Sequence, residues 1–170
     1  MPAIDPGSRA AVEQKVFRVL LEALSRPGEV GRLSVPEPGP GARLRWVLQT
    51  LLDPEVGFSL AGRADAALTP GLVREWTGSA LVEPAAADFL VVDGAGSGGL
   101  VRRLSRGTPE FPDRGATVVY HLPPPLPEGT CQVVLAGPGV PPPGRRAVAI
   151  PGIALQELEA LQEINAEFPL

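Results

Sequence analysis

Few side chains in this sequence can do acid–base, nucleophilic or metal chemistry. Among 170 residues there is one histidine, His121, one cysteine, Cys131, and one lysine, Lys15. His121 stands near the end of the run ATVVYHL at 116–122, and Ser and Asp residues are plentiful. A hydrolase triad can therefore be written on paper, but no G-x-S-x-G elbow accompanies it. The default reading of His121 is a residue at a strand end, with general acid–base work as the alternative. Cys131 opens a strand-like run and reads as a small, partly buried apolar residue rather than a nucleophile. Cys131 and His121 alone do not make a Cys/His zinc site, nor a four-cysteine iron–sulfur site. No dense Asp/Glu cluster announces magnesium. A pyridoxal cofactor needs a Schiff-base lysine, and Lys15 lies on a helical stretch rather than in a loop beside a strand end. The expectation is a chain with no metal and no cofactor of its own.

Anion recognition is the chemistry left open. Arg26, in Ser25-Arg26-Pro27-Gly28, and Arg114, in Asp113-Arg114-Gly115-Ala116, are the candidate anion-binding residues. A guanidinium fork matches phosphate and carboxylate oxygens two at a time. The competing reading of Arg26 is a helix stop whose arginine meets the terminal carbonyls, and of Arg114 a solvated loop residue. The glycine run Gly94–Gly99, GAGSGG, follows a strand, but it fits neither G-x-x-x-x-G-K-[ST] nor G-x-G-x-x-G. It reads as a flexible surface turn.

The elements that must position these residues are legible as periodicities. Ser8 is placed to cap a helix running to about Ser25, with Val12, Val16, Val19, Leu20 and Ala23 on one face. Pro27-Gly28 stops it. Val30–Val35 alternates as a strand does. The spacing of Leu44, Val47, Leu48, Leu51 and Leu52 predicts a helix over Ala42–Leu52, and Thr69-Pro70 the cap and first turn of another through Trp76. Short strands are expected at Phe58–Leu60 and Ala80–Val82, and a strand covered on both faces at Phe89–Val92. Leu100–Arg106 reads as a helical turn or two. Strands follow at Ala116–Leu122, Thr130–Ala136 and Arg146–Ile150, the first two separated by Pro123-Pro124-Pro125, which rules out a tight two-residue hairpin. Ala154, Leu158, Leu161 and Ile164 mark a last helix. The sum is one α/β domain over residues 1–170, with a mixed sheet and helices on both faces. Val16, Leu20, Leu48, Leu51, Val91, Val118, Val134 and Leu158 are expected in its core.

Composition narrows the partners. A net charge of −4 gives no electrostatic reason to bind nucleic acid or an anionic membrane. No apolar run approaches the roughly 20 residues that cross a bilayer. The start MPAIDPGSRAA lacks the basic and apolar regions of a signal peptide, and one cysteine excludes an intrachain disulfide, so a cytoplasmic location is expected.

Several segments also form an ordered set: FRVLLEALSRPG at 17–28, LLDPEVGFSL at 51–60, DFLVVDG at 88–94, GTPEFPDRGAT at 107–117, LAGPGV at 135–140 and NAEFPL at 165–170. In this order and spacing the chain resembles the PhnH family, whose members belong to the bacterial carbon–phosphorus lyase core complex, from about residue 10 to the end. The resemblance implies a three-layer αβα fold related to the large domain of pyridoxal-phosphate transferases, without their cofactor site. It implies a role in phosphonate catabolism, within the complex that couples a phosphonate to the ribose of a nucleoside triphosphate and releases the base. The product is a ribose 1-phosphonate 5-triphosphate. The implied partners are the other core subunits, and a second copy of the chain when isolated. The family names no catalytic residue, so an assembly or substrate-shaping subunit is expected. Phe168-Pro169-Leu170 reads as the run into a further strand. The alternative reading is a free-standing small enzyme or binding protein for a phosphorylated metabolite, with Arg26 and Arg114 as clamps.

Overall fold

Proline lacks the N–H that the first turn of a helix leaves unpaired anyway. In the computed structural model, which describes residues 6–39, 41–62, 67–122, 130–137 and 139–167, helix α1 accordingly spans Pro6–Ser25, with Ser8 inside its first turn rather than at its cap. Helix α2 spans Ala42–Leu51 and α3 spans Pro70–Thr77. The entry to α3 is as its sequence dictates. Thr69 Oγ1 accepts from the Leu72 N–H at 3.3 Å, Pro70 fills the first turn, and Gly78 closes the end at φ 76°. Helix α4 spans Leu155–Glu167.

The strands are β1 Gly57–Gly62, β2 Ala80–Leu81, β3 Phe89–Asp93, β4 Thr117–His121, β5 Thr130–Ala136 and β6 Arg145–Pro151. The first four form a parallel sheet in the order β2-β1-β3-β4, while β5 and β6 pair antiparallel in a separate ribbon. One mixed sheet was expected, and the difference has a physical origin. β3 is buried on both faces, as parallel strands are. β5 and β6 alternate exposed and half-buried residues along their whole length, the pattern of a ribbon covered on one face.

Side chains alternate across the central sheet and fill two clusters. On one face Val91 and Phe58 meet Leu44, Leu48 and Leu52 of the α2 segment and Val73 of α3. On the other, Leu90, Val92 and Ala61 meet Ala160 of α4 together with Val101 of the 3-10 turn Leu100–Arg103 and Leu104 just after it. Trp46 is also buried, its Nε1 donating to the Glu37 carboxylate. Helix α1 packs along α2 and contributes the buried Val16.

Two further expectations fail. No strand forms over Val30–Val35, where Val30 is 91% exposed, because alternation alone is not enough without a neighbouring strand to bond. Val134 is not core: it lies on the outward face of β5 and is 64% exposed. Leu20, Leu51, Val118 and Leu158 are half-buried, and Val16, Leu48 and Val91 fully buried. The loop of Pro123-Pro124-Pro125, Pro138 and the terminal Phe168-Pro169-Leu170 fall outside the described residues. No helix among the described residues is long and apolar enough to cross a membrane.

Candidate functional site

In parallel α/β sheets, ligands bind beyond the carboxyl ends of the strands, where side chains from adjacent strands converge. The apolar run Phe89–Val92 of β3 ends there on Asp93, whose register partners are Gly62 of β1 and His121 of β4. Parallel register sets the two residues side by side, and His121 Nδ1 lies 2.8 Å from Asp93 Oδ1. The Gly94 N–H donates to the His121 carbonyl at 3.0 Å and extends the ladder one step past the pair. Gly94 does so at φ 137°, a conformation that suits glycine. The Asp93 side chain is 10% exposed and that of His121 22%, so the carboxylate is nearly enclosed while the imidazole reaches the surface. Among the described residues Asp93 is the one side chain bonded to the ring. A carboxylate at this distance is the usual means by which a ring nitrogen is held and the imidazole oriented.

On the opposite face of the same strand ends, Tyr120 OH donates to Glu157 Oε1 at 2.8 Å. Burial first, and then the Glu157 carboxylate, raise the Tyr120 phenol above its ordinary value, which keeps it a neutral donor. Glu157 is itself buried on α4. A Cβ on Gly96 would stand 3.3 Å from Glu157 Oε2, and Ala154 N–H donates to the Ala95 carbonyl at 2.8 Å. The run is therefore anchored at residues 95–97, while Gly98 and Gly99 form an exposed turn, as expected. Ser97 is buried, and its Oγ accepts from Val101 N–H at 3.1 Å to start the 3-10 turn.

The two candidate arginines lie in different places. Arg26 sits at the end of α1, within 3.3 Å of Glu22 and 3.7 Å of Glu29. Its neighbours Pro27 and Gly28 form a corner. A Cβ on Gly28 would come within 2.7 Å of Val148 Cγ1 on β6, and one on Gly139 within 3.0 Å of Pro27 Cδ. The segments SRPG and LAGPGV, far apart in sequence, thus meet as one packed corner. Arg114 belongs to the connection from β3 to β4, where its guanidinium lies over the Phe111 ring at 4.3 Å. That loop is tied to itself: Ala116 N–H donates to Ser105 O at 2.9 Å, and Ser105 Oγ to Arg114 O at 2.8 Å. Neither hydrogen bond nor ion pair joins Arg26 to Arg114 among the described residues.

Cys131 is half-buried with Sγ 4.0 Å from the Ile153 carbonyl, and Lys15 is exposed on α1. Among the described residues no three His, Cys, Asp or Glu side chains gather closely enough to hold a metal ion. Sequence reasoning considered His121 but missed Asp93, Tyr120 and Glu157. An acidic residue closing a wholly apolar strand and followed by glycine was the available signal for Asp93. Nothing local marks Glu157, which looks like any helix glutamate.

The sequence pattern of the family described as bacterial phosphonate metabolism protein (PhnH) matches residues 7–170. A curated relative, the alpha-D-ribose 1-methylphosphonate 5-triphosphate synthase subunit PhnH of Rhizobium meliloti (strain 1021), is 31% identical over 134 residues. The alignment covers 75% of this chain and 64% of that relative, so the chain spans less than two thirds of the relative's length. With the family match running from the first turn of α1 to the last residue, this chain belongs to the PhnH family of bacterial phosphonate metabolism proteins.

Proposed function

We propose that this chain is a subunit of the carbon–phosphorus lyase core complex. Within it, the chain contributes to forming ribose 1-phosphonate 5-triphosphate from a nucleoside triphosphate and a phosphonate. The observation that carries this reading is the family match over residues 7–170, supported by the name of the Rhizobium relative. The reading includes a cytoplasmic location and one three-layer domain over residues 1–170. It also takes the fold as akin to the large domain of pyridoxal-phosphate transferases without their cofactor site. Arg26 and Arg114 remain its candidate anion contacts; each would act after exchanging Glu22 and Glu29, or the Phe111 ring, for the ligand.

Assembly is the second part of the proposal: a homodimer when isolated, and contacts with the other core subunits in the complex. Of the aromatic side chains Trp46, Trp76 and Phe111, the first is buried, the second packs against the core and the third is exposed. A better-placed apolar surface is the outer stripe of α1, where Phe17, Leu21 and Leu24 are 51%, 56% and 72% exposed at helical spacing. Reconstitution tests the function. Coupling of methylphosphonate to a nucleoside triphosphate should require this chain in a mixture of the partner subunits. Full coupling without the chain would remove the role, and turnover by the chain alone would favour a free-standing enzyme.

A further inference from the structure

We propose that Arg26 and Arg146 form a binding site for a polyphosphate chain, and that Glu29 holds their guanidinium groups until the ligand displaces it. The choice of ligand rests on the coupling reading above, which supplies a nucleoside triphosphate; the site itself rests on geometry. The segment SRPG closes on itself at the end of α1. Glu29 N–H donates to the Arg26 carbonyl at 3.0 Å, and Gly28 turns the chain at φ 84°. Glu29 is thereby set beside Arg26, whose Nη1 lies 3.7 Å from Glu29 Oε2. Strand β6 supplies the second cation. Arg146 and Val148 stand two residues apart on one face of β6, and that face covers Gly28. A Cβ there would stand 2.7 Å from Val148 Cγ1 and 3.2 Å from Arg146 Cδ. The arginine stem therefore crosses the corner where a glycine leaves room for it, and its Nη1 ends 3.4 Å from Glu29 Oε1. Gly139 of LAGPGV closes the corner from another side, since a Cβ on it would meet Pro27 Cδ and Ser25 O at 3.0 Å. Arg9, Arg102 and Arg103, by contrast, are each paired with a single carboxylate.

A carboxylate met by two arginines, one at each oxygen, is the arrangement an oxyanion ligand takes. Here the carboxylate is the chain's own, and its hold is weak. The side chains of Arg26, Arg146 and Glu29 all reach solvent, and exposed ion pairs contribute little to stability. Little is lost when an external anion takes the two guanidinium groups and Glu29 turns to water. Charge decides which anion does so. The incoming group must displace a single negative charge and tolerate Glu22, 3.3 Å from Arg26. A phosphoryl group brings about −1.5 to −2 near neutral pH, and a chain of them presents oxygens to both arginines at once. A polyphosphate therefore competes with Glu29 better than a lone phosphonate headgroup does. The corner holds the ligand and takes no part in making or breaking its bonds.

Calorimetric titration of the isolated chain with inorganic tripolyphosphate, at fixed ionic strength, tests the site apart from coupling. The wild-type chain should bind tripolyphosphate at a single site, and more tightly than methylphosphonate. Arg26→Gln and Arg146→Gln should each weaken binding by about 10-fold or more, as loss of charge-assisted hydrogen bonds does. Glu29→Gln should do the opposite and tighten binding by about 2- to 5-fold, because it removes the internal competitor. That gain separates a ligand site from a structural clamp, which gains nothing by losing its carboxylate. Arg103→Gln breaks an ion pair elsewhere on the surface and should leave binding unchanged. The proposal is overturned by a wild-type chain that does not bind tripolyphosphate, by tighter binding of methylphosphonate, or by equal weakening in Arg103→Gln and Arg146→Gln. Unchanged or weaker binding in Glu29→Gln overturns it as well. Should Arg146→Gln fail to fold, Arg26→Gln and Glu29→Gln decide, since both alter exposed side chains. A chain that binds with the expected pattern yet is dispensable for coupling overturns the functional reading and leaves the site standing.

Discussion

The parallel sheet and the β5–β6 ribbon are built from similar apolar residues but are stabilised differently. In β3 every residue from Leu90 to Asp93 is buried, because α2 and α3 cover one face and α4 with the 3-10 turn covers the other. In β5 the valines split, with Val133 half-buried and Val134 exposed. The ribbon has one covered face, and its close contacts there include the glycine corner after α1. The sheet is thus held by volume filling and the ribbon's docking by backbone shape. The Asp93–His121 pair belongs to the first region. The packed corner formed by two of the family-like segments belongs to the second.

The largest effect should come from truncating the sheet core. Phe58→Ala removes a fully buried ring and should cost about 3–5 kcal/mol, read by urea denaturation. A loss near zero would mean that the sheet is not the main source of stability. At the corner, Gly28→Ala must adopt φ 84° and press on Val148. A left-handed conformation alone costs about 1–2 kcal/mol for a residue with a Cβ, and the contact adds to it. Protection of β5–β6 amides from hydrogen exchange should fall more than that of β3 amides. Equal loss in both would show that the two regions unfold as one unit.

Tyr120→Phe sharpens the comparison from the sheet's other face. It leaves the buried Glu157 without its phenol donor and should cost about 1–3 kcal/mol. The phenol is raised above its ordinary value of 10.0. Wild-type stability contributed by this group is therefore fully present below that pH and is lost as pH rises through the folded-state value. The alkaline loss should be weaker in Tyr120→Phe, and an unchanged slope would remove the buried phenol as its source. The smallest effect belongs to the outer face of the ribbon. Val134→Thr should change stability by less than about 0.5 kcal/mol in the isolated chain. A larger loss would indicate that this face is covered.

Much of the fold was written locally. The Thr69-Pro70 cap, the helix over Ala42–Leu51, the strand at Phe89–Asp93 and β5 at Thr130–Ala136 follow from capping chemistry and side-chain period, which act within a few residues. The ordered segments were enough to suggest the family, because their spacing is a property of the chain itself. Local pattern failed where the outcome depended on a neighbour. Val30–Val35 alternates like a strand but pairs with no strand, and Val134 is as apolar as the buried Val91 but faces outward. The meeting of Asp93 with His121 required parallel register between strands 28 positions apart, and that of Tyr120 with Glu157 required α4, 37 positions on, to pack against β4. Composition fixes which groups a chain owns. Only the sheet, by aligning β3 with β4 and laying α4 across them, decides which of those groups share a proton.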